Sequence, residues 1–254
     1  MQDFPPGVAV VLGGSGGIGR AVVERLGAYG AAVALTYRGN AAGAEEAAAE
    51  ARAHGVAASV HALSLGEPEA VRALFREVRE RHGRVHTVVH AAGSSIEQPF
   101  ISAIDPAQWR AVIEADVNGF FDVVHASLPL LRAAGGSYVF ISSAGLERYP
   151  AGDILSVAPK AAVEALLRGI AREEGRFGVR ANSVALGVID AGMFPRLVAD
   201  GHFSPEWLET AKRNAALRRF GTAREVAEAV AFLASSRASY VTGQRLLLDG
   251  GYSI

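Results

Sequence analysis

The chain of 254 residues has no cysteine, so disulfides and thiol chemistry are excluded, and a reducing compartment suits it. It also lacks a charge excess. Its 25 basic and 26 acidic residues leave a formal net charge of −1, and nothing marks a nucleic-acid or membrane-surface partner. No uninterrupted apolar run is long enough to span a bilayer. The opening Met1-Gln2-Asp3-Phe4-Pro5-Pro6-Gly7 has neither a basic stretch nor an apolar one, so no signal peptide is expected. Internal repeats, low-complexity tracts and interdomain linkers are missing too, and no metal ligand set is expected. A cytoplasmic protein is the expectation. What is present is a 50% hydrophobic content, enough at this length for one domain with a large core.

The richest local signal is the turn Gly13-Gly14-Ser15-Gly16-Gly17-Ile18-Gly19. The apolar stretch Val8 to Leu12 precedes it and reads as a buried strand. Arg20 to Leu26 follows with helical spacing. Strand, glycine turn and helix together form the context in which such a run binds a dinucleotide. Glycines let the backbone approach a pyrophosphate, and the free N–H groups of the helix start face the phosphates. Two spacings fit at once, Gly14-x-Gly16-x-x-Gly19 and Gly13-x-x-x-Gly17-x-Gly19, and the turn alone does not choose between them.

Strand and helix signals alternate along the rest of the chain. Ala31 to Tyr37 reads as a second strand that delivers Arg38 to its carboxyl end. An acid there would bond both ribose hydroxyls of NAD. Arg38 instead suits the extra phosphate of NADP, so NADP(H) is expected and NAD(H) stays open. Val56 to Leu65 reads as the third strand, Glu67 to Arg81 as a helix, and His86 to His90 as the fourth strand, with Ala91-Ala92-Gly93 at its end. His90, inside a strand, reads as a hydrogen-bonded core residue rather than a catalyst. Asp105-Pro106 opens a helix that continues past Asn118 to about Leu131. Asn118 and Gly119 are locally unfavourable there, and such costs gather at functional positions. Ser137 to Ser143, Val179 to Ala185 and Gln244 to Asp249 complete the strands. Ser156 to Glu173 reads as a helix carrying Lys160, and Thr222-x-x-Glu225 as a capping box. Residues 190 to 216 differ in texture and are expected to form a substrate lid. The alternation predicts an α/β fold, a doubly wound parallel sheet with helices on both faces.

Several pieces now line up in order. They are Gly13-x-x-x-Gly17-Ile18-Gly19, Ala91-Ala92-Gly93, Asn118, Ile141-Ser142-Ser143, Lys160, Arg180-x-Asn182-x-Val184-x-x-Gly187, and Val241-Thr242-Gly243-Gln244 through Asp249-Gly250-Gly251. With this order and spacing the chain resembles the short-chain dehydrogenase/reductase superfamily over nearly its whole length. The resemblance implies a single-domain Rossmann fold over residues 1–254 and usually a homo-oligomer, a tetramer or dimer. It implies a substrate-positioning serine at Ser143, a ribose-binding lysine at Lys160 and a water-holding asparagine at Asn118. It places Gly13, Ser15, Gly16, Gly17, Ile18, Gly19, Arg38, Ser64, Leu65, Ala91, Ala92, Gly93, Lys160, Gly187 and Ile189 around the cofactor.

The pattern also breaks. The family's Tyr-x-x-x-Lys motif reads Ser156-Val157-Ala158-Pro159-Lys160, so Ser156 stands at the acid's position. Leu12, Ser64, His90, Leu186 and Ala191 replace other residues usual near the cofactor. The chain is similar to 2,4-dienoyl-CoA reductases in its Ser-x-x-x-Lys. It is similar to the third type of enoyl-acyl carrier protein reductase around Ser142 to Gly145 and Arg148-Tyr149. The working tyrosine of the first group would fall at Gly145 and that of the second at Asp153. Tyr149 is the only other phenol in this loop.

Three functions are therefore expected in turn. The first is NADPH-dependent reduction of the C=C of an enoyl or dienoyl thioester, whose enolate needs hydrogen bonds rather than an immediate acid. The second is a redox-silent partner subunit or binding protein. The third is a carbonyl reductase, on a 3-oxoacyl group or a ketone, with Tyr149 as acid. The Ser156 hydroxyl is too short and too weak an acid to replace a phenol, so Ser156→Ala is expected to cost little.

Overall fold

In a computed structural model the chain is described over residues 3–93 and 96–254. Alternation of buried strands and amphipathic helices gives β1 (Val8–Leu12), α1 (Gly17–Ala28), β2 (Ala32–Tyr37), α2 (Ala41–Ala53), β3 (Ala58–Ala62), α3 (Pro68–His82) and β4 (Val85–His90). There follow α4 (Pro106–Ile113), a π turn (Glu114–Asn118), α5 (Gly119–Ala134), β5 (Ser137–Ser143), α6 (Ile154–Glu174) and β6 (Arg180–Leu186). The chain continues through α7 (Phe194–Ala199), α8 (Pro205–Asn214), α9 (Ala223–Ala234) and β7 (Arg245–Leu248).

The strands form one sheet in the order β3-β2-β1-β4-β5-β6-β7, and every pairing is parallel. β1 is buried throughout and lies between β2 and β4, where the winding reverses. A crevice opens beyond the carboxyl ends of the strands at such a reversal.

Each face of the sheet carries its own core. On one, Val22, Val23 and Leu26 of α1, the alanine face of α2 and Val226 and Val230 of α9 cover β1 and β2. On the other, Val71, Leu74, Phe75 and Val78 of α3 join Phe120, Val123 and Leu131 of α5 and Val163 and Leu167 of α6. These are the helical stripes that the sequence pattern predicts.

Three expectations need correction. The third strand pairs only over Ala58–Ala62, because its partner β2 ends at Tyr37. The helix from Asp105 does run past Asn118, unbroken to Ala134, but it carries a π turn between α4 and α5 that the sequence pattern does not predict. His90 is buried, 2% exposed, but neither ring nitrogen has a hydrogen-bond partner among the described residues. Its ring instead packs edge-on to Phe120 at 4.9 Å and beside Phe140 at 5.3 Å.

Candidate active site

The glycine turn sits at the carboxyl end of β1. Gly13 has φ +79°, and a Cβ there would stand 2.7 Å from the Ala92 Cα. Its N–H donates to Thr36 Oγ1 at 3.1 Å, which ties the turn to β2. A Cβ on Gly19 would lie 2.1 Å from the Gly13 carbonyl oxygen, so the turn closes this tightly only with glycine. Gly17 is held as closely against Gly192, whose nitrogen would be 2.7 Å from a Cβ.

Beside this turn lies a cleft of about 460 Å³. Of the residues expected around a cofactor, it is lined by Gly13, Ser15, Gly16, Arg38, Ser64, Leu65, Ala91, Ala92 and Gly93. Gly17, Ile18, Gly19 and Gly187 do not line it. They shape it from behind, or in the case of Gly187 pack on Asp249. Ile189 is not brought to it either: it bridges to Gly221 and lines a second cleft of about 470 Å³ with Leu217 and Leu247. Thr36, Asp116 and Arg196 line the first cleft without having been marked by the sequence. Arg196 adds a second guanidinium to the cleft that holds Arg38. These residues fit a dinucleotide: a backbone cradle that side chains would fill, α1 starting at its edge, and two guanidinium groups.

The second half of the site is built by elements that pack on α6. They are β5, the short turn Ala144–Leu146 that follows it, and the π turn. Ser143 ends β5, and its Oγ accepts the Gly145 N–H at 3.0 Å. Asn118 ends the π turn, and its Nδ2 donates to Glu114 Oε2 at 2.5 Å. A Cβ on Gly119 would stand 2.7 Å from the Leu65 carbonyl oxygen, so the π turn is pressed against the chain beyond β3. Lys160 donates from Nζ to Ser156 Oγ at 3.0 Å, one helical turn back on α6. Burial pushes the Lys160 ammonium below its usual range, opposed by the nearby charges of Asp116 and Asp153. Burial raises the Asp153 carboxyl, opposed by the Lys160 charge and by the hydrogen bond that Gln98 donates at 3.2 Å.

None of the six tyrosines of the chain is hydrogen-bonded to Lys160 or Ser143. The Tyr138 hydroxyl is buried against Ser127, and that of Tyr29 donates to Glu228. Tyr37 lines the glycine-turn cleft, Tyr252 lies under Arg148, and Tyr240 is fully exposed. Tyr149 is 48% exposed on the loop before α6. Ser143, Ser156, Lys160 and Asn118 thus stand on α6 or on elements packed against it, whereas among the described residues no polar contact joins Tyr149 to them.

Comparison with known proteins agrees with this architecture. A family model described as Enoyl-(Acyl carrier protein) reductase matches residues 13–253. The chain is 33% identical over 245 residues to the 3-oxoacyl-[acyl-carrier-protein] reductase FabG of Staphylococcus aureus, covering 96% of each chain. It is 37% identical over 250 residues to the acetoacetyl-CoA reductase of Synechocystis sp., covering 96% of this chain and 95% of that one. Among solved structures, a short-chain dehydrogenase/reductase from Serratia marcescens is 30% identical. It superposes with a TM-score of 0.89 over 97% of this chain and 98% of that one. With the glycine-turn cleft at the winding reversal, and serine, lysine and asparagine on the elements around α6, the chain is an oxidoreductase-type member of the short-chain dehydrogenase/reductase superfamily.

Proposed function

We propose that the protein is an NADPH-dependent reductase of acyl thioesters, and that it reduces a conjugated C=C. The substrate class is carried over from the similar proteins, whose names refer to acyl groups on acyl carrier protein or coenzyme A. The observation that carries the choice of bond is the partner of Lys160. Its Nζ is bonded to a serine hydroxyl where a phenol would serve carbonyl reduction. Reducing a carbonyl puts full charge on an alkoxide, which calls for a strong nearby acid. Reducing a conjugated double bond spreads charge over an enolate, which hydrogen bonds stabilise.

In this reading the glycine turn holds the pyrophosphate and Arg38, with Arg196, the phosphate on the adenosine ribose. Bound NADPH supplies a hydride. Ser143 orients the thioester carbonyl, Lys160 holds positive charge beside its oxygen, and Asn118, bonded to Glu114 within the π turn, holds a water linked to Lys160. A second reading, reduction of the 3-oxo group, is favoured by the names of the two curated relatives. We place the protein in the cytoplasm. Leu246 and Leu247, 40% and 41% exposed on the edge strand β7, support assembly into a dimer or tetramer.

The test is a fluorescence titration with NADPH and NADH, then steady-state rates on crotonyl and acetoacetyl thioesters. NADPH should bind the more tightly, and the crotonyl thioester should turn over faster. Lys160→Ala should lower turnover at least ~10-fold with the fold intact. Tyr149→Phe should leave it unchanged. Failure to bind either nucleotide would remove the reductase reading in favour of a redox-silent protein. Turnover of the acetoacetyl thioester alone would move the reaction to the carbonyl, and a loss in Tyr149→Phe would make that phenol the acid.

A further inference from the structure

Two walls of the site rest on the last residues of the chain. One is the loop 144–152, which joins Ser143 to α6. Its ends are packed: a Cβ on Gly145 would stand 2.8 Å from Val157 Cγ2, and one on Gly152 would stand 2.7 Å from the Gln98 carbonyl oxygen. Between them Glu147 and Arg148 are exposed, and their side chains reach the end of the chain. Arg148 Nη1 donates to the Tyr252 carbonyl oxygen at 2.9 Å, and its Cζ lies 4.7 Å over the centre of the Tyr252 ring. Glu147 pairs with Arg245 at the start of β7. The other wall is the lid. Where it ends, the Leu217 N–H donates to the Gly250 carbonyl oxygen at 3.0 Å. A Cβ on Gly251 would stand 2.8 Å from that of Ala216.

The piece between these contacts is a turn with its own order. Gly250 and Gly251 take φ +62° and +79°, the left-handed region that glycine enters without strain. The Asp249 carboxylate closes the turn: Oδ1 accepts the Gly251 N–H at 2.9 Å and Oδ2 the Ser253 N–H at 3.0 Å. Asp249 is also pressed on the end of β6, where a Cβ on Gly187 would stand 2.8 Å from its Cα. The turn is thus fixed to the sheet at Asp249, to the lid at Gly250 and to the loop at Tyr252. We propose that residues 249–253 brace the site by holding the loop and the lid at a set separation, with Arg148 as a positioning residue for the thioester. The proposal rests on the reductase reading.

Exposed contacts such as those of Arg148 add little to global stability. A loop is different: its local opening free energy is small, so one contact decides how often it leaves its place. The thioester carbonyl, oriented by Ser143, has to meet the hydride and Lys160 within a narrow range of positions. A substrate held between loop and lid feels any change in the gap between them. The glycine-turn cleft does not, since neither Arg148 nor residues 249–253 line it. The brace therefore bears on the thioester and leaves the dinucleotide alone.

Hydrogen exchange followed by mass spectrometry reads the loop, over 144–152, and the lid end, over 215–218, separately. Arg148→Ala and Tyr252→Ala should each speed exchange at least ~5-fold in both stretches, with the melting temperature unchanged. In the NADPH-bound enzyme each should lower kcat/KM for the crotonyl thioester about tenfold, mostly through KM, while the Kd for NADPH holds. The double variant should lose no more than either single one, because both remove the same contact. Tyr252→Phe, which keeps the ring and the carbonyl, should recover most of the loss. Faster exchange in the loop with an unchanged lid end overturns the brace. So do additive losses in the double variant, or full kcat/KM in Arg148→Ala, and these leave the reductase reading standing. A wild type that binds NADPH but reduces neither thioester defeats the reductase reading instead, and exchange in the two stretches then decides the brace alone.

Discussion

Arg38 is the residue on which cofactor choice turns. It lines the cleft with Arg196, at the end of a strand that delivers no carboxylate. Arg38→Ala should weaken NADPH by about 1–3 kcal/mol and NADH much less, as a lost charge-assisted bond to phosphate requires. Equal losses by fluorescence titration would remove the assignment. Arg38 was legible because a strand end at the second position of such a sheet has one chemical task. Arg196 and Asp116 were not, for they enter the cleft from a six-residue helix and a π turn that leave no local pattern. Nor was Asp153. In sequence it resembles any wet helix-capping aspartate, and only tertiary packing shows it buried beside Lys160.

At the scale of elements, the long buried strands and striped helices were legible because their periodicity is that of their burial. Ends were less so. Val56 to Leu65 has strand character throughout, but hydrogen bonding stops where β2 stops. One junction depends on a single side chain. Arg180, at the start of β6, donates to the carbonyls of Leu233 at 2.7 Å and Ser235 at 3.1 Å. Longer bonds reach Ala234 and Val241. It thereby closes the carboxyl end of α9 and ties it to the segment before β7. Arg180→Ala leaves those buried carbonyls unpaired and should cost about 3 kcal/mol in urea unfolding. Arg180→Lys should recover only part, because an ammonium cannot fork across several acceptors. A full recovery would show that charge alone matters.

The whole molecule carries buried histidines that favour the folded state only while neutral. Burial holds His86 and His90 down to about 4, from an ordinary value of 6.5. The folded pKa lies below the unfolded one, so their contribution is complete above about pH 6.5 and is lost as pH falls towards 4. The loss amounts to about 3 kcal/mol per ring once pH is below both values. His61 and His82, lowered by burial as well, add to the same trend. Unfolding free energy should drop between pH 7 and 5, before most carboxylates titrate. His90→Phe, which places a third aromatic ring beside Phe120 and Phe140, should flatten part of that drop. An unchanged slope would mean that these rings are protonated without cost.

The π turn carries a consequence for how the chain tolerates insertion and loss. Its wider hydrogen-bonded rings hold one residue more than an α-helix would. Deleting Ala115 would let α4 and α5 fuse into one regular rod. The turn absorbs that extra residue, so α5 would keep its phase and Gly119 its place against the Leu65 carbonyl. Glu114 and Asn118, which now share a hydrogen bond, would stand closer along the chain by one position. A second deletion has no bulge to absorb it: α5 would swing by about 100° about the helix axis, the angle between successive residues, and a bulkier neighbour would arrive at a contact too narrow for any Cβ. The π turn is therefore the one place in this helix where the chain can shorten by a residue and leave the sheet and its site in register.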